Sequence, residues 1–175
     1  MPRFFVKTEQ IEENKIQIIG EDVKHIKNVL RKQIGDIIEI CNSENGKAYN
    51  CEIINIEEKY VDTKILKELK EEKNNILVDI YQGIPKSDKM ELIIQKSVEL
   101  GVNAIIPVAM KRCVAKIEPK DENKKIERWQ KISESAAKQS GRTIIPEVRK
   151  IVTIQDIAKL TEQYDSVIVA YENEK

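Results

Sequence analysis

Short stretches of alternating apolar and polar residues dominate the first part of the chain, and this alternation is typical of β-strands. The stretches that alternate are residues 36–41, 48–56 and 60–69. Asn45 and Gly46 lie between the first two, and an Asn-Gly pair favours a two-residue turn with positive φ. The pattern predicts a hairpin followed by a third strand, as in a small β-barrel.

One short helix is predicted in this β-rich part. Its apolar positions, at helical spacing, are Val23, Ile26, Val29 and Leu30. Glu21 or Asp22 is expected to cap it, and it is expected to end before Gly35. His25, the only histidine of the chain, and Arg31 belong to this segment, where they either contact RNA or are ordinary surface residues.

The second part of the chain alternates strands with longer helices. Strands are predicted at residues 76–82, 104–108 and 166–171, and helices at 88–100, 123–140 and 153–164. This order predicts right-handed βαβ units around a mostly parallel sheet. The charge-rich stretch 67–75 is predicted to be a linker, so we expect domains at residues 1–70 and 74–175.

Composition narrows the class of protein. Hydrophobic residues make up 41% of the chain and charged residues 34%, which is typical of a globular protein and excludes collagen-like and disordered classes. No apolar run is long enough for a membrane span or a secretory signal, so we expect a cytoplasmic protein without a membrane partner. Cys41, Cys51 and Cys113 lack metal-ligand spacing, so buried reduced thiols and no metal site are expected.

Charge is balanced overall but unevenly distributed. The chain has 30 basic and 30 acidic residues. Residues 111–142 contain ten Lys or Arg and five Asp or Glu, whereas residues 36–73 contain six basic and ten acidic residues. One region is therefore locally positive, as expected if a single face of the protein meets phosphate groups.

Two loops that follow predicted strands carry candidate binding residues. Lys86 and Lys89 lie beside a predicted helix start, where anions are already favoured, and Asp88 with Glu91 forms a pair resembling a capping box. Arg112 follows a predicted strand at the end where α/β sheets bind ligands, and its guanidinium suits phosphate or a stacked base. The alternative is that these are ordinary solvated side chains.

The end of the longest predicted helix carries a third group of candidates. Gln139, Ser140 and Arg142 surround Gly141, a residue that favours helix ends and allows close approach of a ligand. By themselves these donors resemble any polar helix cap. Trp129, on the same helix, is predicted to be a core residue and not a stacking platform for bases.

Five ordered segments of the sequence resemble the ribosomal RNA small subunit methyltransferase E family. They are PRFFV at residues 2–6, HIKNVLRKQIGD at 25–36, QKSVELGVNAIIPV at 95–108, KRC at 111–113, and RWQKI through AAKQSGR at 128–142. The match extends from residue 2 to about residue 150 without large gaps. No one segment is specific, but five in the same order rarely coincide.

The resemblance implies a fold, an activity and partners. The fold is an α+β PUA-like β-barrel that grips RNA, followed by a Rossmann-like α/β SPOUT-type domain with a mostly parallel sheet. The activity is methylation of N3 of a uridine in 16S rRNA with S-adenosylmethionine. The implied partners are small-subunit rRNA, or the whole 30S subunit, and a second copy in a homodimer when the protein is full length.

The same resemblance assigns site residues by matched position and charge. Those implied to face RNA are Arg3, His25, Arg31, Lys86, Lys89, Arg112, Gln139, Ser140 and Arg142. Because uridine N3 is protonated near neutral pH, transfer needs a base or electrostatic stabilisation of the uracil anion. Arg112 or Arg142 is the candidate for stabilising the anion, and Glu99 is the candidate proton acceptor.

Members of the family continue past a strand like 166–171 into a glycine-rich segment, roughly IGPEGG, that ties a C-terminal trefoil knot around the cofactor. This sequence has no such cluster. We therefore expect the knot to be lacking, and the cofactor-binding residues to lie after Lys175. Two alternatives remain at this point: a catalytically silent RNA-binding fragment, and an unrelated nucleotide-binding α/β enzyme.

Overall fold

The chain forms two sheets, one after the other along the sequence. The computed structural model describes residues 3–70, 76–86, 89–110 and 117–170. The strands are β1 (Arg3–Val6), β2 (Ile11–Glu12), β3 (Lys15–Ile19), β4 (Ile37–Asn42), β5 (Ala48–Ile56), β6 (Tyr60–Leu69), β7 (Asp79–Gly83), β8 (Ala104–Ala109), β9 (Glu147–Val148) and β10 (Val152–Thr153). The helices are α1 (Glu21–Lys24), α2 (Lys89–Leu100), α3 (Pro119–Ser140) and α4 (Ile154–Leu160).

The first sheet curls around one apolar core. Its strand order is β1-β4-β5-β6-β3-β2, with β1 parallel to β4 and the other neighbours antiparallel. Strands from both halves of this order, together with α1, bury side chains in the same cluster: Phe4, Val6, Ile16, Ile18, Val23, Ile26, Ile38, Ile40, Ile53 and Val61. The strands must therefore bend around that core, and the β-rich first domain with one short helix is confirmed.

A π-helix follows directly on α1. An α-helical turn over Glu21–Lys24 continues as a π-helix over His25–Val29. Its N-cap is Gly20, with φ of 78°, so the prediction that Glu21 or Asp22 caps the helix was wrong. The helix ends before Gly35 as predicted, at Val29 with Leu30 as its C-cap. Arg31, just beyond it, adopts φ of 51°.

The β4–β5 hairpin is confirmed, but its predicted two-residue turn is not. The amide of Asn42 donates to the carbonyl of Lys47 at 2.8 Å, which leaves four residues in the loop. The side-chain oxygen of Asn42 accepts from the amides of Glu44 and Asn45, and this capping favours the longer loop. Gly46 has the predicted positive φ, 74°.

The second sheet is parallel throughout the pairs described. Strands β7, β9 and β10 all run parallel to β8, which confirms the predicted parallel α/β arrangement. Helices α2 and α3 supply most of its core, including Met90, Ile94, Val98, Trp129 and Ala137. Trp129 is 4% exposed, which confirms that it is a core residue.

Several predicted boundaries were wrong because strand pairing decided them. Residues 67–69 were predicted both as the end of the strand 60–69 and as part of the linker; they belong to β6, where Leu69 pairs with Ala48. Residues 71–75 lie outside the described ranges. Strand β7 begins at Asp79 and not at residue 76, because its partner β8 begins opposite it at Ala104. Strands β9 and β10, two residues each, were not predicted.

The C-terminal predictions were confirmed in part. Helix α4 begins after Thr153 and is followed by a 3-10 turn at Thr161–Gln163, close to the predicted helix 153–164. The predicted strand 166–171 is not formed over residues 166–170, where Ile168 is 94% exposed; residue 171 lies outside the described ranges.

The predicted burial is confirmed for two of the three cysteines. Cys41 and Cys51 are fully buried in the first sheet, whereas Cys113 lies outside the described ranges. Burial raises the pKa of the Cys51 thiol to about 11. In the described part of the chain, no helix combines the length and the apolar character needed to cross a membrane.

Candidate nucleic-acid interface

The carboxyl ends of β7 and β8 lie side by side and carry the first group of predicted residues. Gly83 pairs with Val108, and the side chain of Met110 lies so close to Gly83 that a Cβ there would come within 3.1 Å of its sulfur. Lys86 follows β7, and Lys89 opens α2; both are exposed. Arg112, which follows β8 in the sequence, lies outside the described ranges, as does Asp88.

The predicted capping pair of Asp88 and Glu91 is not tested, because Asp88 lies outside the described ranges. Glu91, on the first turn of α2, accepts an ion pair from Arg128 of α3 at 2.6 Å. Its carboxylate therefore connects two helices.

The C-terminal end of α3 carries the second group. Gly141 caps the helix in the left-handed conformation with φ of 71°, and the amide of Arg142 donates to the carbonyl of Ala137 at 3.1 Å. The guanidinium of Arg142 donates through Nη2 to the carbonyl of Val102 at 3.2 Å. Its partial burial lowers the pKa of the guanidinium, which nonetheless stays charged at neutral pH.

The other two predicted donors at this helix end differ in their availability. The Ser140 hydroxyl donates to the carbonyl of Ala136 at 2.7 Å, so its hydrogen is used within the helix and its oxygen remains an acceptor. Gln139 is exposed. Gln139 is therefore the better placed of the two to donate to a ligand.

The end of α3 meets the first sheet through polar contacts. Arg3 donates to Glu39 through Nε at 2.7 Å and to the carbonyl of Gly141 through Nη1. Lys138 forms an ion pair with Asp22 of α1, at 2.8 Å and 3.1 Å to the two carboxylate oxygens. The N-terminal strand and α1 are thus joined to the last turn of α3.

The π-helix that follows α1, and the residues just after it, contain the remaining predicted residues. The imidazole of His25 is exposed and stands edge-on against the ring of Phe4, with centroids 6.2 Å apart. The side chain of Arg31 is exposed just after the π-helix. Both residues follow the element that Lys138 holds through Asp22.

The predicted residues therefore fall into two groups at opposite ends of the second sheet. Arg142 contacts the carbonyl of Val102, which precedes the amino end of β8, whereas Lys86 follows the carboxyl end of β7. A strand of six residues, the length of β8, separates these ends by roughly 17 Å.

A groove of about 580 Å³ runs along α2 and α3. Its lining extends from Glu91, on the first turn of α2, to Gln139 near the end of α3. Lys124, Arg128 and Lys131 contribute positive charge to its walls, which Glu91 and Glu127 partly offset. Of the residues predicted to bind RNA, Gln139 lines this groove.

Glu99, the candidate proton acceptor, is exposed on the last turn of α2. It accepts hydrogen bonds from Lys96 at 2.8 Å and from Gln95 at 3.0 Å. The hydrogen bond from Lys96 contributes most to holding the pKa of Glu99 below its ordinary value. A base works best with a pKa near the operating pH, so Glu99 is a weak proton acceptor in this conformation.

Sequence reasoning missed the side chains that join the two domains here. Glu39 and Lys138 had no predicted role, and Asp22 was predicted only as a possible helix cap. Together with Arg3 and Gly141, their contacts bridge 36 to 138 residues of sequence. No spacing pattern within a helix or strand signals such contacts, because they depend on how the domains pack.

Comparison with known families accounts for both domains. A family described as the RNA methyltransferase PUA domain matches residues 18–66, and one described as the RNA methyltransferase domain matches residues 71–175. These matches confirm the predicted PUA-like first domain and methyltransferase second domain. They also favour a methyltransferase over an unrelated nucleotide-binding enzyme.

Individual relatives agree with the family matches. The chain is 40% identical to the ribosomal RNA small subunit methyltransferase E of Bacillus subtilis strain 168, over 98% of this chain and 68% of that protein. It is 30% identical to the Mesomycoplasma hyopneumoniae protein of the same name, over 100% of this chain and 73% of that one.

A solved structure shows the same arrangement with a ligand. The Neisseria gonorrhoeae ribosomal RNA small subunit methyltransferase E, bound to S-adenosyl methionine, matches with a TM-score of 0.78 and 32% identity, over 90% of this chain and 64% of that one. The likeness covers both domains, and it agrees with the sequence relatives. The chain belongs to the ribosomal RNA small subunit methyltransferase E family.

Proposed function

We propose that this chain binds small-subunit rRNA, in the cytoplasmic 30S subunit or its precursor, and serves the S-adenosylmethionine-dependent methylation of N3 of a uridine in 16S rRNA. The observation that carries the proposal is the junction at which α1 and the N-terminal strand meet the last turn of α3. There the exposed His25 and Arg31 belong to the same joined unit as Arg142. Phosphate recognition relies on positive charge of the kind that Arg31 and Arg142 provide.

The proposed RNA surface has two parts. The junction part comprises His25, Arg31, Gln139, Ser140 and Arg142, with Arg3 beneath it. The sheet part comprises Lys86, Lys89 and Arg112. Because the two parts lie at opposite ends of the sheet, we propose a homodimer in which the junction part of one copy faces the sheet part of the other.

The proposed chemistry requires the loss of the N3 proton and the gain of a methyl group at the same nitrogen. Loss of the proton places negative charge on the uracil ring and its carbonyl oxygens. Arg142 is suited to offset that charge because its guanidinium is partly buried, where an ionic interaction is screened less than in water. Arg112 is the alternative residue for this role, and Glu99 accepts the proton only if its contact with Lys96 opens.

The cofactor supplies the methyl group when bound. We assign no described residue to holding it, and the six glycines of the chain are dispersed, so we propose that the cofactor-binding knot is not encoded in this sequence. The dispersed glycines favour a second candidate function, an RNA-binding chain that is catalytically silent. Calorimetric titration with S-adenosylmethionine separates the two: micromolar binding contradicts the silent chain, and no binding supports it.

RNA binding is tested by fluorescence anisotropy with a labelled 16S rRNA fragment. Arg142→Ala and Arg112→Ala are each expected to weaken binding about tenfold, and affinity should fall as salt rises. Lys159→Ala, at an exposed position of α4, is the matched control and should change affinity less than twofold. Unchanged affinity in both arginine variants would show that neither residue belongs to the RNA surface. Undetectable binding by the unmodified chain would refute the proposed function.

A further inference from the structure

We propose that Arg3 is a positioning residue, which holds the Gly141 turn and thereby Arg142 in the conformation that binds RNA, and that it does not itself contact RNA. The inference rests on the proposed function. It concerns the conformation of the Gly141 turn at the junction, which can also be measured in the free protein.

The guanidinium of Arg3 is held from the first sheet. Arg3 of β1 and Glu39 of β4 are direct partners in the parallel register, so their side chains emerge next to each other. Nε of Arg3 lies 2.7 Å from Oε2 of Glu39, and both side chains are only 21% exposed. At this burial the pair is more than a solvated surface contact, and Glu39 orients the rest of the guanidinium.

The other edge of the same guanidinium reaches the second domain. Nη1 of Arg3 donates to the carbonyl of Gly141, the left-handed residue that ends α3. Carbonyls at a helix end lack donors within the helix, and Arg3 supplies one across 138 positions of sequence. The forked guanidinium engages Glu39 and Gly141 through two different nitrogens.

Arg142 is therefore held from both sides. Its backbone follows the carbonyl that Arg3 contacts, and its guanidinium donates to the carbonyl of Val102. Rotation of the Gly141 turn would move the Arg142 side chain away from Val102. The contact made by Arg3 thus controls the residue that we propose to stabilise the uracil anion.

A second contact restrains the same turn. Lys138, three residues before Gly141, bridges both carboxylate oxygens of Asp22, which lies three residues before His25 on α1. Two separate elements of the first domain, β1 and α1, thus contact the end of α3. This arrangement makes the orientation of the turn depend on the first domain, where Glu39 sits.

The sign of one substitution separates positioning from direct contact. Glu39→Ala removes a negative charge beside Arg3. If Arg3 contacts RNA directly, losing that charge strengthens binding or leaves it unchanged, because a carboxylate repels phosphate. If Arg3 positions the turn, losing its orienting partner weakens binding.

We expect Glu39→Ala and Arg3→Ala each to weaken binding of the 16S rRNA fragment about fivefold, and the double variant to be no weaker than either single variant. Glu12→Ala, which removes an exposed carboxylate from β2 of the same domain, should not weaken binding. Binding by Glu39→Ala as tight as that of the unmodified chain, or tighter, overturns the proposal.

The free protein provides an independent readout. In ¹H–¹⁵N spectra, the amide resonances of Gly141 and Arg142 should shift in Glu39→Ala, more than a hundred positions away in sequence, and stay in place in Glu12→Ala. Unshifted resonances overturn the proposal whatever the RNA affinities are. If the unmodified chain fails to bind rRNA, the proposed function fails, while these resonances still decide whether Arg3 positions the turn.

Discussion

Arg31 adopts a backbone conformation that is unfavourable for a residue with a side chain. Its φ of 51° lies in the left-handed region, which costs an L-residue roughly 1–2 kcal/mol and which glycine usually occupies at helix ends. The amide of the next residue, Lys32, donates back to Ile26 at 3.0 Å, so the helix end requires this conformation. A strained backbone at an exposed arginine indicates a functional role, and we propose that this role is contact with RNA.

Arg31→Gly is expected to stabilise the protein by about 0.5–1 kcal/mol, because relief of the left-handed strain exceeds the added entropy of the unfolded chain. The same change should weaken rRNA binding. Urea unfolding and fluorescence anisotropy measure the two effects. Arg31→Ala is the control: it removes the guanidinium but keeps the strain, so affinity should fall without a gain in stability. Loss of stability in Arg31→Gly would contradict this account of the helix end.

Tyr164 is a residue from which a pH effect is expected. Burial, followed by hydrogen bonds with Tyr81 at 3.1 Å and Asp79 at 2.7 Å, raises the pKa of its phenol. The neutral phenol is favoured in the folded state, so its contribution to stability is complete below the unfolded pKa of about 10 and disappears as the pH rises through the folded value.

Alkaline titration of phenolate absorbance, taken as the difference between the unmodified protein and Tyr164→Phe, should therefore show a group that ionises well above pH 10. The unmodified protein should also lose stability more steeply than Tyr164→Phe at high pH. An ordinary titration near pH 10 in the difference curve would show that the network around Asp79 does not form.

At the scale of elements, α4 depends on a local capping box. The hydroxyl of Thr153 accepts from the amide of Asp156 at 3.3 Å, while the carboxylate of Asp156 accepts from the amide of Thr153 at 2.8 Å. Hydrogen bonds from the Thr153 side chain and then its backbone lower the pKa of Asp156. A lowered pKa means that the carboxylate stabilises α4 above its unfolded pKa and that this contribution is lost as the pH falls through the folded pKa.

Thr153→Ala is expected to cost about 1 kcal/mol in the stability of α4 and to bring the pKa of Asp156 back towards its ordinary value. Carboxyl ¹³C shifts followed against pH measure the pKa, and amide exchange in α4 measures the local stability. Thr153→Ser keeps the hydroxyl and should preserve both. An unchanged Asp156 pKa in Thr153→Ala would show that the box does not form in solution.

At the scale of the whole molecule, one side chain connects the two cores. Strand β1 alternates, so that Phe4 faces the first core while Phe5 packs against the second. Trp129, the only tryptophan, is buried in the second core and reports on that domain alone. Coupling between the two domains can therefore be measured with Trp129 as the probe and with Phe5 as the residue to substitute.

Phe5→Ala is expected to remove about 1–3 kcal/mol of apolar contact between the domains. The unfolding transitions followed by Trp129 emission and by far-UV circular dichroism should coincide in the unmodified protein and separate in the variant. Ile37→Ala, at a position 43% exposed on β4, is the control and should leave them coincident. Coincident transitions in Phe5→Ala would show that the domains do not depend on this contact.

What the sequence determined by itself was local periodicity and the order of elements. Helices α2 and α3, the strand core of β8 and the parallel second sheet follow from spacing that a stretch of 10 to 20 residues carries, and the buried Trp129 follows from its place on an amphipathic helix. The family resemblance rested on ordered motifs of the same local kind. These features need no knowledge of distant contacts.

Tertiary structure decided where pairing starts and which residues meet. Residues 166–170 are apolar enough for a strand yet find no partner, and β7 begins only where Ala104 lies opposite. Only the fold places Lys86 and Arg142 at opposite ends of the sheet and brings Arg3 onto Gly141. The physical reason is that strand pairing and domain contacts join positions far apart in the chain, and no local pattern encodes their register.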